Sequence, residues 1–239
     1  MNVYEVNEIT ALLKGNTYPG RGIVLGKTPD GKKAVAAYFI MGRSANSRNR
    51  VFTEKGDCVF TEPFDASKVE DPSLIIYAAI RKFENKLIVT NGDQTDTIYH
   101  GLEAGKSMFE SLTTREFEPD APNLTPRISG MITFADGDMT YDMSILKSAD
   151  PEGNACNRFS YSYAATPGVG HFIHTYVCDG NPIPTFQGEP ERVQTTCCID
   201  CFTNELWDAL DENNKISLYV RYTDLETGEV ENRMRNKNN

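Results

Sequence analysis

RISGMITFADGDMTYDMSIL, residues 127–146, is the stretch on which the fold class turns. It holds two runs rich in β-branched and apolar residues, from Arg127 to Phe134 and from Met139 to Leu146, joined through Asp136-Gly137-Asp138. Gly accepts a positive φ and Asp satisfies backbone groups locally, so the stretch reads as an antiparallel hairpin. The reading extends upstream: Gly22 to Lys27 pairs with Lys33 to Ile40 across Pro29-Asp30-Gly31, and Val51 to Glu54 with Cys58 to Thr61 across Lys55-Gly56-Asp57. Ile75 to Lys82 pairs with Lys86 to Thr90 across Glu84-Asn85. Downstream, Arg158 to Ala165 and His171 to Val177 flank residues 166–170, and Lys215 to Tyr222 returns as Glu229 to Arg233 across Thr227-Gly228. Two main helices interrupt the strands, after a short one at Asn7 to Lys14. Ile98, Leu102, Gly105, Phe109 and Leu112 recur at steps of four and three, an amphipathic helix capped by Thr95 or Asp96. Phe202 to Leu210 sets Leu206, Trp207 and Leu210 on one face behind a Thr203 cap. Roughly ten strands joined mostly by short turns imply largely antiparallel sheet and an α+β class.

The chain has 239 residues, 39% hydrophobic and 24% charged, enough to bury a core without disulfides or a metal. No Pro/Gly/Ser linker divides it, so one domain over residues 18–234 is expected, with an N-terminal extension at 1–17 and a frayed tail at 235–239. Formal charge is 24 minus 34, or −10, and no Lys/Arg block offers a footprint for nucleic acid or an anionic membrane. The longest apolar stretches, such as Leu74 to Ile80, are too short for a membrane helix, and residues 1–14 lack the features of a secretory signal. The six cysteines follow no spaced framework, so a reducing cytoplasm is the expected setting.

Several familiar motifs are absent or weak. There is no phosphate loop of the Walker type, no dinucleotide fingerprint and no Gly-x-Ser-x-Gly elbow. His171 and His174 sit three apart on an expected strand and therefore face opposite sides, which argues against a shared metal. Cys197, Cys198 and Cys201 have no second pair at zinc spacing and read as buried thiols before a helix.

Polar residues cluster instead where strands end. Residues 42–50, GRSANSRNR, put Arg43, Arg48 and Arg50 on one loop of an acidic protein, where guanidinium groups could grip a phosphate bidentately. Asn91-Gly92-Asp93-Gln94-Thr95-Asp96-Thr97 brings amides and hydroxyls to a helix N-terminus. Glu118-Pro119-Asp120-Ala121-Pro122-Asn123-Leu124-Thr125-Pro126-Arg127 delivers carboxylates, an amide and a guanidinium to the start of a strand.

At these segments the chain resembles the archaeal-type inosine monophosphate (IMP) cyclohydrolase family, in a bacterial version. The resemblance is carried by Gly20-Arg21, Gly42-Arg43-Ser44 leading to Asn49-Arg50, Ile76-Tyr77 with Ile80-Arg81, Asn91-Gly92 with Thr95-Asp96-Thr97-Ile98, and Thr125-Pro126-Arg127-Ile128. Beyond Met131 it is to bacterial relatives, through Thr166-Pro167-Gly168-Val169-Gly170-His171, Ile173-His174-Thr175-Tyr176 and Asp179-Gly180-Asn181-Pro182. Ala78 replaces a family asparagine, and the loop around Arg48 is longer, so either Arg48 or Arg50 matches the family arginine.

The resemblance implies a four-layer αββα sandwich like that of the N-terminal-nucleophile hydrolases. It implies a cytoplasmic homo-oligomer that closes the purine ring of formylated aminoimidazole carboxamide ribonucleotide with loss of water. That step is intramolecular and needs no metal or cofactor; the partner is the small purine ribonucleotide, with no nucleic acid and no membrane. Tyr77, Arg50 and Glu118 are the expected catalytic residues, and Arg21, Arg43, Arg48, Asn91, Thr95, Asp96, Asp120, Asn123 and Arg127 the expected substrate-binding ones. The superfamily's hydrolase chemistry would need a Cys, Ser or Thr at a free N-terminus, whereas the sequence opens Met1-Asn2. A binding protein that kept the phosphate grip but lost turnover is the alternative.

Overall fold

A computed structural model describes residues 4–69 and 76–238. Among them thirteen strands form two antiparallel sheets. The first sheet runs in the order β11 (Glu191–Gln194), β10 (Val169–His174), β1 (Arg21–Lys27), β2 (Lys33–Met41), β12 (Lys215–Asp224), β13 (Val230–Asn236). The second runs in sequence order: β3 (Val51–Lys55), β4 (Cys58–Glu62), β5 (Tyr77–Phe83), β6 (Lys86–Thr90), β7 (Arg127–Ala135), β8 (Asp138–Ser148), β9 (Cys156–Ala164). The expected hairpins form, and Arg127↔Leu146 through Ala135↔Asp138 fixes the register of the one quoted first. Ile75, the first residue of one expected strand, lies outside the described residues.

Period-two alternation sends side chains to two faces of each sheet, and three apolar clusters result. The central one joins the sheets: Ile23, Leu25, Ala36 and Tyr38 of the first meet Phe52, Leu87, Ile128 and Ile132 of the second. The outer face of the first sheet, including Val24, Phe39, Leu218 and Val220, packs under α1 (Ile9–Leu13) and α5 (Ile199–Ala209). The outer face of the second, including Ile88 and Met131, packs under α3 (Gln94–Glu103) and α4 (Met108–Leu112). The order is therefore helix, sheet, sheet, helix. No helix among the described residues is long and apolar enough to cross a membrane.

Six local expectations are corrected. The helix read through Leu112 is two: Gly105, at φ 75°, breaks it, and a Ser107/Glu110 capping box starts α4. Asp93, not Thr95 or Asp96, holds the N-cap position of α3, and Cys198, not Thr203, that of α5, where its Sγ accepts from the Cys201 N–H. The cysteines before α5 are exposed rather than buried, and Cys198 and Cys201 form a disulfide. The tail is held: Arg235 and Asn236 pair with β12, the Asn236 amide bonds Phe52, and Asn238 Nδ2 donates to the Arg48 carbonyl at 2.7 Å. The segment before Tyr18 joins the fold, with Ile9 and Leu13 buried and Asn7 bridged to Val193.

Candidate active site

One end of the sandwich collects the starts of β1, β3, β5 and β7 and the ends of β2, β6 and β10, because antiparallel neighbours alternate in direction. Strand phase decides which side chains enter the space between the sheets there. On β1, Arg21 is in step with Ile23 and Leu25 of the central cluster, and on β2 Tyr38 is in step with Ala36. Arg50, just before β3, is two residues from Phe52 and shares its side; Arg48, two further back, lies in a short helical turn, α2 (Ala45–Arg48). Tyr77 is brought inward by a bulge: Phe60 pairs with Ala78 but Val59 with Ile80, so Tyr77 and Ile80 both join the central cluster although three apart.

The result is a buried group of two guanidiniums, two phenols and a carboxyl. Arg21 is 8% exposed, Arg50 6%, Tyr77 6% and Glu118 8%, with Tyr38 fully buried. The Tyr38 and Tyr77 hydroxyls lie 2.9 Å apart. Neither guanidinium makes a hydrogen bond or ion pair with a described residue, and each has a buried Nε without a partner. The Glu118 carboxyl likewise bonds no described residue; its backbone N–H donates to the Thr125 carbonyl at 2.8 Å, which anchors the loop. A buried charge without a partner is costly, so this arrangement suits an anionic, polar ligand.

The electrostatics agree. Burial and the charge of Arg21 lower the pKa of Arg50, the signature of two like charges forced together. Arg21 is held above its ordinary value: burial opposes the charge, but Tyr18, Glu118, Tyr176 and Tyr77 outweigh it. Burial raises Glu118 against the pull of Arg21, Arg127 and Arg50. Burial raises both phenols, Tyr38 further, while Arg50 and the bond from Tyr38 draw Tyr77 back. Tyr38 is thus the donor whenever one phenol of the pair ionises.

Arg127 stands beside this group but on the other phase of β7, in step with Met131. Its Nη1 donates to Asp93 Oδ1 at 2.7 Å and Gln94 Oε1 at 2.8 Å, which fixes it against the start of α3. Gly92 makes room for it: a Cβ there would lie 2.5 Å from Arg127 Nη1 and 3.6 Å from Glu118 Oε1. Asp120 accepts from the Thr125 N–H at 2.6 Å and from its hydroxyl. The Thr125 proton being so used, Tyr176 must donate across its 2.6 Å contact to Thr125.

Other expected site residues are spent on structure. Asn91 bonds the Pro126 carbonyl, the Ile128 N–H and Gln94; Thr95 bonds Thr90 and the Gly92 carbonyl. Asp96 pairs with Arg81 at 2.6 Å on the surface. Arg43 pairs with Asp179, donates to the Gly180 carbonyl and lies 5.1 Å over the Tyr18 ring. Arg48 donates to the Gly42 carbonyl and Asn214, away from the buried group. Asn123 lines a separate groove of about 550 Å³ with Leu124, Val177 and Ile183. Sequence reasoning missed Tyr38 and Gln94, and gave Tyr18 and Thr125 no role; for Tyr38 the signal was its phase with Ala34 and Ala36.

His171 and His174 do face opposite ways. His171 lies 2.7 Å from the Tyr141 hydroxyl and stacks on Tyr163, whereas His174 stacks on Phe172. Among the described residues no three His, Cys, Asp or Glu side chains converge as metal ligands.

Fold and site together define a two-sheet α+β protein that groups buried guanidiniums, phenols and a carboxyl at one end of the space between its sheets. The family described as IMP cyclohydrolase-like protein matches residues 18–228, and the chain belongs to that family. A protein named IMP cyclohydrolase from Methanopyrus kandleri is 30% identical over 184 residues, 71% of this chain and 89% of that one. Proteins of the same name from Methanothrix thermoacetophila and Methanococcus aeolicus are 33% and 34% identical over 120 and 116 residues, covering 58% and 56% of their own lengths.

Proposed function

We propose that the chain is an IMP cyclohydrolase of purine biosynthesis, acting in the direction of ring closure on the formylated aminoimidazole carboxamide ribonucleotide. The observation that carries the reading is the pair of buried, unpartnered guanidiniums, Arg21 and Arg50, facing Tyr77 and Glu118. In the reaction a carboxamide nitrogen bonds to the formyl carbon and gives up one of its two protons, the formamide nitrogen gives up its own as the carbon–nitrogen double bond forms, and the formyl oxygen takes up two protons and leaves as water. Holding the formyl group against the carboxamide supplies the largest share of the barrier reduction, because the reaction is intramolecular. The guanidiniums hold the phosphate or the developing oxyanion. Tyr77, its hydroxyl 2.9 Å from that of Tyr38, gives its proton to the departing oxygen when Tyr38 donates to it. Glu118, raised by burial, accepts the proton from nitrogen. Arg127, Asp120 and Thr125 position the loop and ribose contacts.

The layering, with one active end between the sheets, supports the N-terminal-nucleophile hydrolase resemblance, and the stretches after Met131 support a bacterial member. A homo-oligomer follows from the same resemblance, and a single domain over residues 18–234 and a cytoplasmic setting from the lack of a linker and the cysteine pattern. The test adds the formylated ribonucleotide to purified protein and follows inosinate by absorbance and chromatography. Saturable formation supports the reading; tight inosinate binding without formation would favour the nucleotide-binding alternative.

A further inference from the structure

The opposite end of the sandwich holds a further buried guanidinium that nothing described so far uses. On β12, Tyr219 belongs to the central cluster and Leu218, Val220 and Tyr222 to the outer one, so Arg221 points between the sheets. It pairs in register with Ala36, far from the Lys215–Met41 end where the candidate active site lies. Arg221 is 6% exposed, its Nε is buried without a partner, and it makes no hydrogen bond or ion pair with any described residue.

It lines a cavity of about 190 Å³. That leaves room for a compact ion with ordered water around it. Lys82, exposed at the rim and without an ion-pair partner among the described residues, adds a second positive charge, and Thr223 and Asn85 add polar groups. Two carboxylates share the rim. Asp224 is engaged by the Glu226 and Thr227 N–H groups of its own turn, and Glu84 sits exposed at the β5–β6 turn; neither forms an ion pair with Arg221.

An enclosed guanidinium is expected to be paired, since desolvation without compensation is among the larger penalties a fold can carry. Its planar fork matches an oxyanion, and two cations favour one bearing more than one negative charge. We propose that this cavity is a second anion site, distinct from the active end, which takes a compact tetrahedral oxyanion of the phosphate class against Arg221 and Lys82.

Inorganic phosphate titrated into protein carrying ¹⁵N at the arginine Nε tests this. The Arg221 Nε–H signal is assigned by its loss in Arg221→Met, or in Arg221→Lys should the first variant not fold. The expected result is a saturable shift with half-saturation below about 10 mM. Because the two ends are independent, it is unchanged within about twofold in Arg50→Met. No shift of this signal, or a non-saturating one that chloride reproduces at equal ionic strength, overturns the site. A shift with acetate but not with phosphate overturns the assignment to the phosphate class.

Discussion

Replacing Arg50 by Met should move binding and stability in opposite directions. Arg50 is 6% exposed and bonds no described side chain, and the neighbouring Arg21 charge lowers its pKa. Without ligand, its charge is desolvated and repelled; with an anionic nucleotide bound, it makes a charge-assisted contact. Such contacts are worth about 1.5–3 kcal/mol, so the inosinate Kd should rise by roughly 10- to 150-fold. Met fills similar volume without charge, and relief of the buried like-charge pair should leave the ligand-free protein unchanged or about 1 kcal/mol more stable. For a chain of this size that is a rise of about 2–4 °C in Tm. Isothermal titration calorimetry with inosinate and thermal unfolding of ligand-free protein give the two numbers. A variant that binds inosinate like wild type, or melts several degrees lower without ligand, would refute the reasoning.

Glu118→Gln should lower kcat by about a hundredfold with KM little changed, because it removes a proton acceptor and keeps the shape; a rise in KM at constant kcat would assign Glu118 to binding instead. Burial raises this carboxyl above its ordinary 4.5, so its stabilising contribution is present below 4.5 and lost as pH rises through the folded-state value. Melting temperatures of Glu118→Gln should therefore lack that fall. Tyr38→Phe removes a donor to Tyr77, so kcat should drop about 3- to 10-fold and the alkaline limb of the rate profile move to higher pH; an unmoved limb would count against the phenol pair. Gly92→Ala places a Cβ 2.5 Å from Arg127 Nη1 and should cost about 1–3 kcal/mol in urea unfolding while lowering kcat/KM. Burial and Arg192 lower His171 from 6.5 to about 4. The unfolded chain then takes up a proton that the folded one refuses, and stability should fall by on the order of 3 kcal/mol as pH drops from 6.5 to about 4. The pH dependence of Tm in His171→Gln should be flatter across that window.

The hairpins were legible because their turns are local chemistry: Asp136-Gly137-Asp138 and Pro29-Asp30-Gly31 favour tight turns without help from the rest of the fold. Strand β11 was missed because Glu-Arg-Val-Gln is short and mostly polar, and only its pairing to β10 makes it a strand. The helix read through Gly105 failed because the apolar period continues across a break that a single glycine at positive φ makes. In the candidate site, residue types were visible but destinations were not. Arg48 and Arg50 look alike in sequence; the short helical turn that ends at Arg48 takes it out of the strand alternation that Arg50 shares with Phe52. Asn91 and Thr95 looked like ligand groups, yet turn geometry uses their hydrogen bonds. Tyr38 carries no motif, and its role exists only because the bulge at Ala79 brings Tyr77 to face it from the other sheet.

A crystal structure of the protein grown with inosinate tests the central claim most directly. The account predicts the nucleotide at the Arg21 end of the space between the sheets, with an oxygen within hydrogen-bonding distance of the Nε of Arg21 or Arg50 and Tyr77 and Glu118 against the purine. Inosinate seated elsewhere, with both guanidiniums still unpaired, would contradict it.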